Sequence, residues 1–412
     1  MNVAFQTEIA AFLFAFAVLT CTPASAGDDR PAAPPPADVQ KLAADGNEFA
    51  FALYERLRDE KGNVFFSPVS ISTALGMTYA GARGATAEEM ARTLRFTLPT
   101  DRLHAAFCGL IARLRPPAGE PRVRLHIANA LWPDQRYAFL PEFFSLVESH
   151  YGAATQSVDF AGATEAARAT INTWVAQRTN ELIKELLKRG DIDGLTVLVL
   201  TNAIYFKADW HAQFDPKDTK PGVFHAVGGE RPGVPMMSQT ARLPYAEFDG
   251  GQALELPYVG NRLRMLLLLP RKADGLTALE KRLSPALVAK VAGALGTRKV
   301  HVTLPRFRMR FRTYLAETLA AMGMPSAFAP GQADFSGLDG SRSLFISTVI
   351  HEACLEVNEE GSEAAAATAV VISRAAAEPV IEFNADRPFL LLIRDRDTGA
   401  ILFLGRLVDP AD

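Results

Sequence analysis

The sequence predicts a mixed α+β fold in a single domain, on three observations. Apolar residues recur at helical spacing through most of the first half, and strand-like runs crowd the second half. No repeat and no internal Pro/Gly-rich linker interrupts the stretch 39–412, so it reads as one unit. Of 412 residues 49% are hydrophobic and 22% charged, an ordinary globular mixture that can bury a large core without staples. The formal net charge of -3 offers no basic face for a polyanion, which argues against a nucleic-acid partner.

Taken in order, the chain begins with an apolar run, Ile9 to Leu19, too short to span a bilayer. Pro23 and the small-x-small triplet Ala24-Ser25-Ala26 follow, which predicts a signal peptide over 1–26 and a mature start at Gly27. The segment before the run carries Glu8 and no Lys or Arg, the one feature out of pattern. Secretion or periplasmic export is therefore expected. Lipid anchoring at Cys21 is the weaker reading, because Thr20 before it suits lipidation poorly. Residues 27–38 hold RPAAPPPAD and read as a stiff linker. Beyond the export segment the cysteines are Cys108 and Cys354, far apart and expected to be buried and free. No later stretch is long and apolar enough for a transmembrane helix.

Helices are expected over Val39 to Arg58, Val69 to Gly81, Thr86 to Leu94, Pro141 to Ser149 and Ala163 to Leu187. Gly62 ends the first, and Thr86-x-Glu-Glu opens the third. A first strand falls at Arg124 to Leu131. Later strands are expected at Val197 to Phe206, Leu254 to Pro257, Met265 to Leu269, Lys299 to Leu304, Leu344 to Val357 and Pro388 to Val408. Several are apolar on both faces, as in a sheet covered on both sides. Helices at Leu276 to Leu295 and Tyr314 to Met322 interrupt them.

Hydrolase and metal signatures fail. There is no G-x-S-x-G elbow. His351-Glu352-Ala353-Cys354-Leu355 begins like the zinc helix H-E-x-x-H, but Leu355 replaces the second ligand and the segment reads as strand. Asp334-Phe335-Ser336-Gly337 is not the kinase Asp-Phe-Gly, and no Gly-rich phosphate loop accompanies it. No enzyme activity, metal or cofactor is expected.

Residues 357–380 are chemically odd. Ala364 to Ala367 would ordinarily favour helix. The same stretch fits a strand, with Ser362, Ala364, Ala366, Thr368, Val370 and Ile372 on one face, all small or apolar. The opposite face holds Glu363, Ala365, Ala367, Ala369, Val371 and Ser373. No proline occurs from Gly361 to Glu378, so every residue could donate to a central ladder. The segment could be a loop in one state and a strand in another.

At this point the chain resembles the serpins, from about Asp38 to Pro410. The patterns that carry the likeness are NVFFSPVSIS from Asn63, GARGATAEEM from Gly81, NAIYFKADW from Asn202 and LELPY from Leu254. ADFSG from Ala333, HEACLEVNEEGSEAAAAT from His351, DRPF from Asp386 and FLGR from Phe403 complete it. The resemblance implies three β-sheets, about nine helices and an exposed reactive-centre loop. It also implies a suicide-substrate inhibitor: a serine protease attacks the loop, is held as an acyl-enzyme, and is carried off as the loop inserts into the main sheet.

The resemblance also implies parts for named residues. Gly361, Ser362, Glu363, Ala364, Ala365, Ala366, Ala367 and Thr368 form the hinge, and apart from Glu363 their small or β-compatible side chains favour the inhibitory type over a carrier or chaperone. Ser67, Ser70, Asn202 and His351 match a polar cluster beneath the opening sheet, with Trp210 where insertion begins. Arg306 and Glu359 match an ion pair at the loop's base. Counting fourteen residues beyond Gly361 places the specificity residue at Ala375 and the cut at Ala375-Ala376, suited to elastase-like or subtilisin-like proteases. Arg374, cut before Ala375, is the competing choice and would suit a trypsin-like pocket. The partner is a target serine protease in a covalent complex, the inhibitor itself being a monomer capable of loop-sheet polymers. Some relatives bind polysaccharide on a basic helix near Asp101 to Arg115; here Arg102, Arg113, Arg115, Arg122 and Arg124 are interspersed with apolar residues and Glu120, and read as a solvated face.

Overall fold

The computed structural model describes residues 36–114, 122–360 and 379–411. The signal segment 1–26 with Cys21, the hinge Gly361 to Thr368, and Arg374, Ala375 and Ala376 lie outside the described residues.

Helix α1 (Pro36–Leu57) begins inside the stretch expected to be extended linker. Proline suits a first helical turn, where its missing N–H has no partner to lose. Asp38 in that turn is buried, and Arg102 Nε donates to it at 3.0 Å. Then come β1 (Val64–Phe66), α2 (Pro68–Tyr79), α3 (Gly84–Leu94), α4 (Thr100–Leu114), β2 (Val123–Pro133), α5 (Pro141–Tyr151), β3 (Ala154–Thr155), α6 (Phe160–Arg178) and β4 (Leu198–Ala208). The second half runs β5 (Lys220–Ala226), β6 (Gly229–Phe248), β7 (Gly251–Pro257), β8 (Leu263–Pro270), α7 (Leu276–Glu280), α8 (Pro285–Ala294), β9 (Gly296–Pro305), β10 (Phe307–Tyr314), α9 (Ala316–Met322), α10 (Ser336–Asp339) and β11 (Thr348–Val357). Three short strands close the chain: β12 (Ile381–Asn384), β13 (Phe389–Asp395) and β14 (Ile401–Leu407). No helix of the described residues is long and apolar enough to cross a membrane.

Hydrogen bonding joins the strands into a five-stranded sheet, β10-β11-β4-β2-β3, and a nine-stranded one, β1-β14-β13-β8-β7-β6-β9-β12 with β5 on β6. The larger sheet has two lobes joined by β6. Its residues Tyr245 to Phe248 pair with β7, while Gly229 to Tyr245 pair with β5 and then β9. The three expected sheets are therefore three groups of strands, two of them continuous through β6. Helix α2 lies between the sheets, buried from Pro68 to Thr78. Beneath α6 a second, smaller core forms on the far face of the five-stranded sheet from Ala128, Trp132, Ile171, Ala203 and Ile350.

Several elements depart from the sequence-based expectation. The helix expected at Ala163 to Leu187 ends at Arg178; Asn180 and Glu181 take φ of 54° and 63°, which stops helical propagation. Leu182 is consequently exposed while Leu186 stays buried. The helix expected at Leu276 to Leu295 breaks before α8, where Ser284 caps Leu287 N–H at 3.2 Å and Pro285 takes the first turn. The run Pro388 to Val408 is a hairpin, turning at Gly399 with φ 74°. Strand β6 lies where no strand is expected, and it contains Pro232, Pro235 and Pro244. Pro232 and Pro244 each sit where β6 has a partner strand on one flank only, while at Pro235 the carbonyl still accepts from Arg306 N–H at 2.8 Å and only the return bond is missing.

Candidate functional site

Within the five-stranded sheet the long pairings of β11 with β10 and of β4 with β2 are antiparallel. Between β11 and β4 runs a parallel seam, from Thr348 opposite Val199 to Leu355 opposite Phe206. Asn129, Asn202 and His351 occupy one row across β2, β4 and β11. Because side chains alternate along a strand, the row points at α2 while Ala128, Ala203 and Ile350 face the α6 core.

Into this row projects the start of α2. Ser67 caps the helix, its Oγ accepting from Ser70 N–H at 3.2 Å. The Ser67 backbone N–H donates to His351 Nε2 at 3.1 Å. Nε2 is thus an acceptor, which makes the ring neutral and puts its proton on Nδ1, facing Asn202 Oδ1 across the seam. Asn202 Nδ2 donates in turn to Ser70 Oγ at 2.6 Å and to Asn129 Oδ1 at 2.5 Å. Asn129 Nδ2 returns to the Ser70 carbonyl at 3.3 Å. His351 and Asn202 are fully buried, and burial pushes the His351 pKa down to about 3. The Ser67 N–H bond to Nε2 requires the neutral imidazole. The cluster therefore fastens β11 to β4 and both to α2.

At the end where β11 finishes, a second set of contacts closes the seam. Trp210 Nε1 donates to the Asn358 carbonyl at 2.9 Å, and the indole stacks on Tyr258 with ring centroids 4.5 Å apart. Phe214 N–H donates to the Glu359 carbonyl at 3.0 Å, and Gln213 Nε2 to the Glu360 carbonyl at 2.9 Å. Arg306 Nη1 lies 3.6 Å from Glu359 Oε1, with the Arg306 side chain half exposed and Glu359 buried. Thr219 Oγ1 also donates to Glu359, at 2.7 Å.

The structure thus brings Ser67, Ser70, Asn202 and His351 into one network and places Trp210 and the Arg306–Glu359 pair at the seam's end. Sequence reasoning missed Asn129 and Thr219. Asn129 had a usable signal, a carboxamide inside the otherwise apolar run Ile127 to Leu131. Thr219 had none. His351 and Glu352, which began the zinc-like motif, point to opposite faces of β11. Glu352 is buried and tied to Arg310; burial raises its pKa against the lowering effect of that arginine. Cys354 on the same face is a free thiol, pushed by burial to about 12, whereas Cys108, also expected to be free, is disulfide-bonded. Arg102, considered for polyanion binding, is instead ion-paired with Asp38.

This architecture, a sheet with a parallel seam latched from below, has close counterparts. The family model described as serpin (serine protease inhibitor) matches residues 44–410. An uncharacterised serpin-like protein of Thermococcus kodakarensis is 43% identical over 370 residues, covering 89% of this chain and 85% of its own. Leukocyte elastase inhibitor of Xenopus laevis is 41% identical over 380 residues, covering 90% of this chain and all of its own. Among solved structures, an Arabidopsis serpin in its native stressed conformation superposes with TM-score 0.82 at 32% identity, over 91% of this chain and 99% of that one. Uncleaved ovalbumin gives 0.81 at 31%, over 90% and 100%. The chain belongs to the serpin family.

Proposed function

We propose that the protein is an exported inhibitor of serine proteases that acts as a suicide substrate rather than an enzyme. The observation that carries this reading is the parallel β11–β4 seam. A strand entering between two parallel strands can run antiparallel to both, and a chain leaving β11 at Val357 has to reverse direction to enter there. The residues that follow, Gly361 to Thr368, are proline-free and, apart from Glu363 on the face expected to point to water, small, as suits a strand in that position. In this reading the protease serine forms an acyl-enzyme at the loop, the Ser67–Ser70–Asn129–Asn202–His351 cluster releases, and the cut loop enters the seam with the protease attached. Trp210, Gln213 and Phe214 hold the entrance.

The likeness to leukocyte elastase inhibitors supports an elastase-like target; the cut at Ala375-Ala376, and a subtilisin-like enzyme as the other candidate, rest on the count of fourteen residues beyond Gly361 and the small side chain it reaches. Arg374 is the competing specificity residue, for a trypsin-like target. The reading is tested by incubation with a panel of serine proteases and electrophoresis after boiling in detergent. A complex that survives boiling is expected, and loop cleavage without any complex overturns inhibition. Mass spectrometry of the released C-terminal fragment then locates the bond. A fragment starting at Ala376 fits the elastase-like reading, and one starting at Ala375 with fast trypsin inhibition replaces it.

A further inference from the structure

On the far face of the five-stranded sheet, residues 179–197 run from the end of α6 to the start of β4 as a strap over the β11–β4 seam. Ile183, Leu186, Leu187 and Ile192 are buried in the small core there, together with Ala203 of β4 and Ile350 of β11. One peptide unit of the strap is held from both sides. Leu187 N–H donates to Asn172 Oδ1 of α6 at 2.8 Å, and Asn172 Nδ2 returns to the Leu187 carbonyl at 2.8 Å. The Leu186 carbonyl, in the same planar peptide as that N–H, accepts from Arg312 Nε of β10 at 2.9 Å. Arg312 also pairs with Asp191 farther along the strap, and both side chains are largely buried. Tyr314 Oη donates to Asp191 Oδ1 at 2.7 Å, and the Arg312 guanidinium lies 4.5 Å from the Tyr314 ring centroid. The neighbouring arginines of β10 bond differently. Arg308 reaches Glu356 at 2.9 Å and Arg310 reaches Glu352, both on β11.

Resting on the insertion reading above, we infer that Arg312 is a positioning residue that pins the strap across the seam and sets how readily the seam opens. A strand entering between β11 and β4 moves them apart by one strand spacing, about 4.8 Å. β10 travels with β11, to which it is paired from Phe307 opposite Val357 to Tyr314 opposite Ile350. The bonds of Arg308 and Arg310 therefore survive opening. Those of Arg312 do not, because the strap stays with α6 through Leu187 and a rigid peptide cannot stretch by several ångströms. A largely buried, charge-assisted pair that is lost only on opening stabilises the closed seam and leaves the inserted form unaffected.

The test compares full-chain wild type, Arg312→Gln and Arg308→Gln by melting temperature before and after loop cleavage, and by the rate of conversion to heat-resistant, non-inhibitory forms at fixed temperature. Arg312→Gln should lower the native melting temperature, leave the cleaved one unchanged and speed conversion by about tenfold, the lower end for charge-assisted bonds. Arg308→Gln, at an exposed position, should leave the rate unchanged. Tyr314→Phe deletes one hydroxyl at a half-exposed position and should speed conversion by about threefold, so the test stands even where Arg312→Gln does not fold. Equal losses in the native and cleaved forms of Arg312→Gln, or a wild-type conversion rate in both strap variants, overturn the pin while wild type still inserts. A wild type whose melting temperature does not rise on cleavage instead sinks the insertion reading, and the pin with it.

Discussion

Lowering the pH should loosen the β11–β4 seam through one residue. His351 has a pKa of about 3 in the native structure, held down by burial, against 6.5 for an unperturbed imidazole. A state in which the seam has opened and the ring is hydrated binds a proton below pH 6.5, and the native state does not until about pH 3. The linkage therefore runs one way. Above pH 6.5 both states are neutral and His351 adds no pH dependence; below it, opening gains about 1.4 kcal/mol per pH unit until the native ring itself titrates. Between pH 6.5 and pH 5 that is about 2 kcal/mol, or roughly a thirtyfold faster opening if the ring is hydrated at the transition state. The assay is the rate at which native protein is lost to heat-resistant, non-inhibitory forms at fixed temperature, measured from pH 8 to pH 5. His104 complicates global unfolding, because burial lowers it as well, to about 4. It lies between α4 and α5, bonded to Tyr151 at 2.7 Å, and does not touch the seam. The discriminating variant is His351→Gln, which can accept from Ser67 N–H and donate to Asn202 without titrating. Its rate should be nearly flat over this range, and a slope equal to the wild type's would refute the reasoning.

Three further outcomes follow from the same architecture. Replacing Ala366 by Arg puts a charge on the face expected to turn inward, where unpaired burial is very costly; the variant should still be cut but trap little protease, seen as a large rise in inhibitor consumed per protease inactivated. Cleaving the loop between residues 370 and 378 should raise the melting temperature strongly, because about a dozen new ladder bonds at ~0.5–1.5 kcal/mol each give on the order of 10 kcal/mol; an unchanged or lower value would count against insertion and favour a carrier role. Gly405→Ala should destabilise by about 1–3 kcal/mol, since a Cβ there would lie 2.3 Å from the Val64 carbonyl and crowd Phe65. Its denaturant midpoint should fall, and a neutral result would mean that β1 can shift away from β14 without loss.

Local chemistry determined much of this protein. Strands apolar on both faces, such as Leu198 to Phe206 and Leu390 to Ile393, declared a covered sheet in their composition alone. Capping and turn residues were equally readable, although Ser284-Pro285 and Thr398-Gly399 punctuate stretches that periodicity would run together. The small residues after Gly361 and the polar residues Ser67, Ser70, Asn202 and His351 were visible as types in an order. What the order could not supply was register. That Asn129 stands beside Asn202 is decided by which strands pair and in what phase, because a shift of one residue turns every side chain to the other face. The same holds for β6, whose partners change from β5 to β9 and then β7 along its length, leaving Pro232 and Pro244 a partner strand on one side only. The latch exists because three strands and a helix cap, distant in sequence, meet at one buried point where an unpaired polar group would be costly.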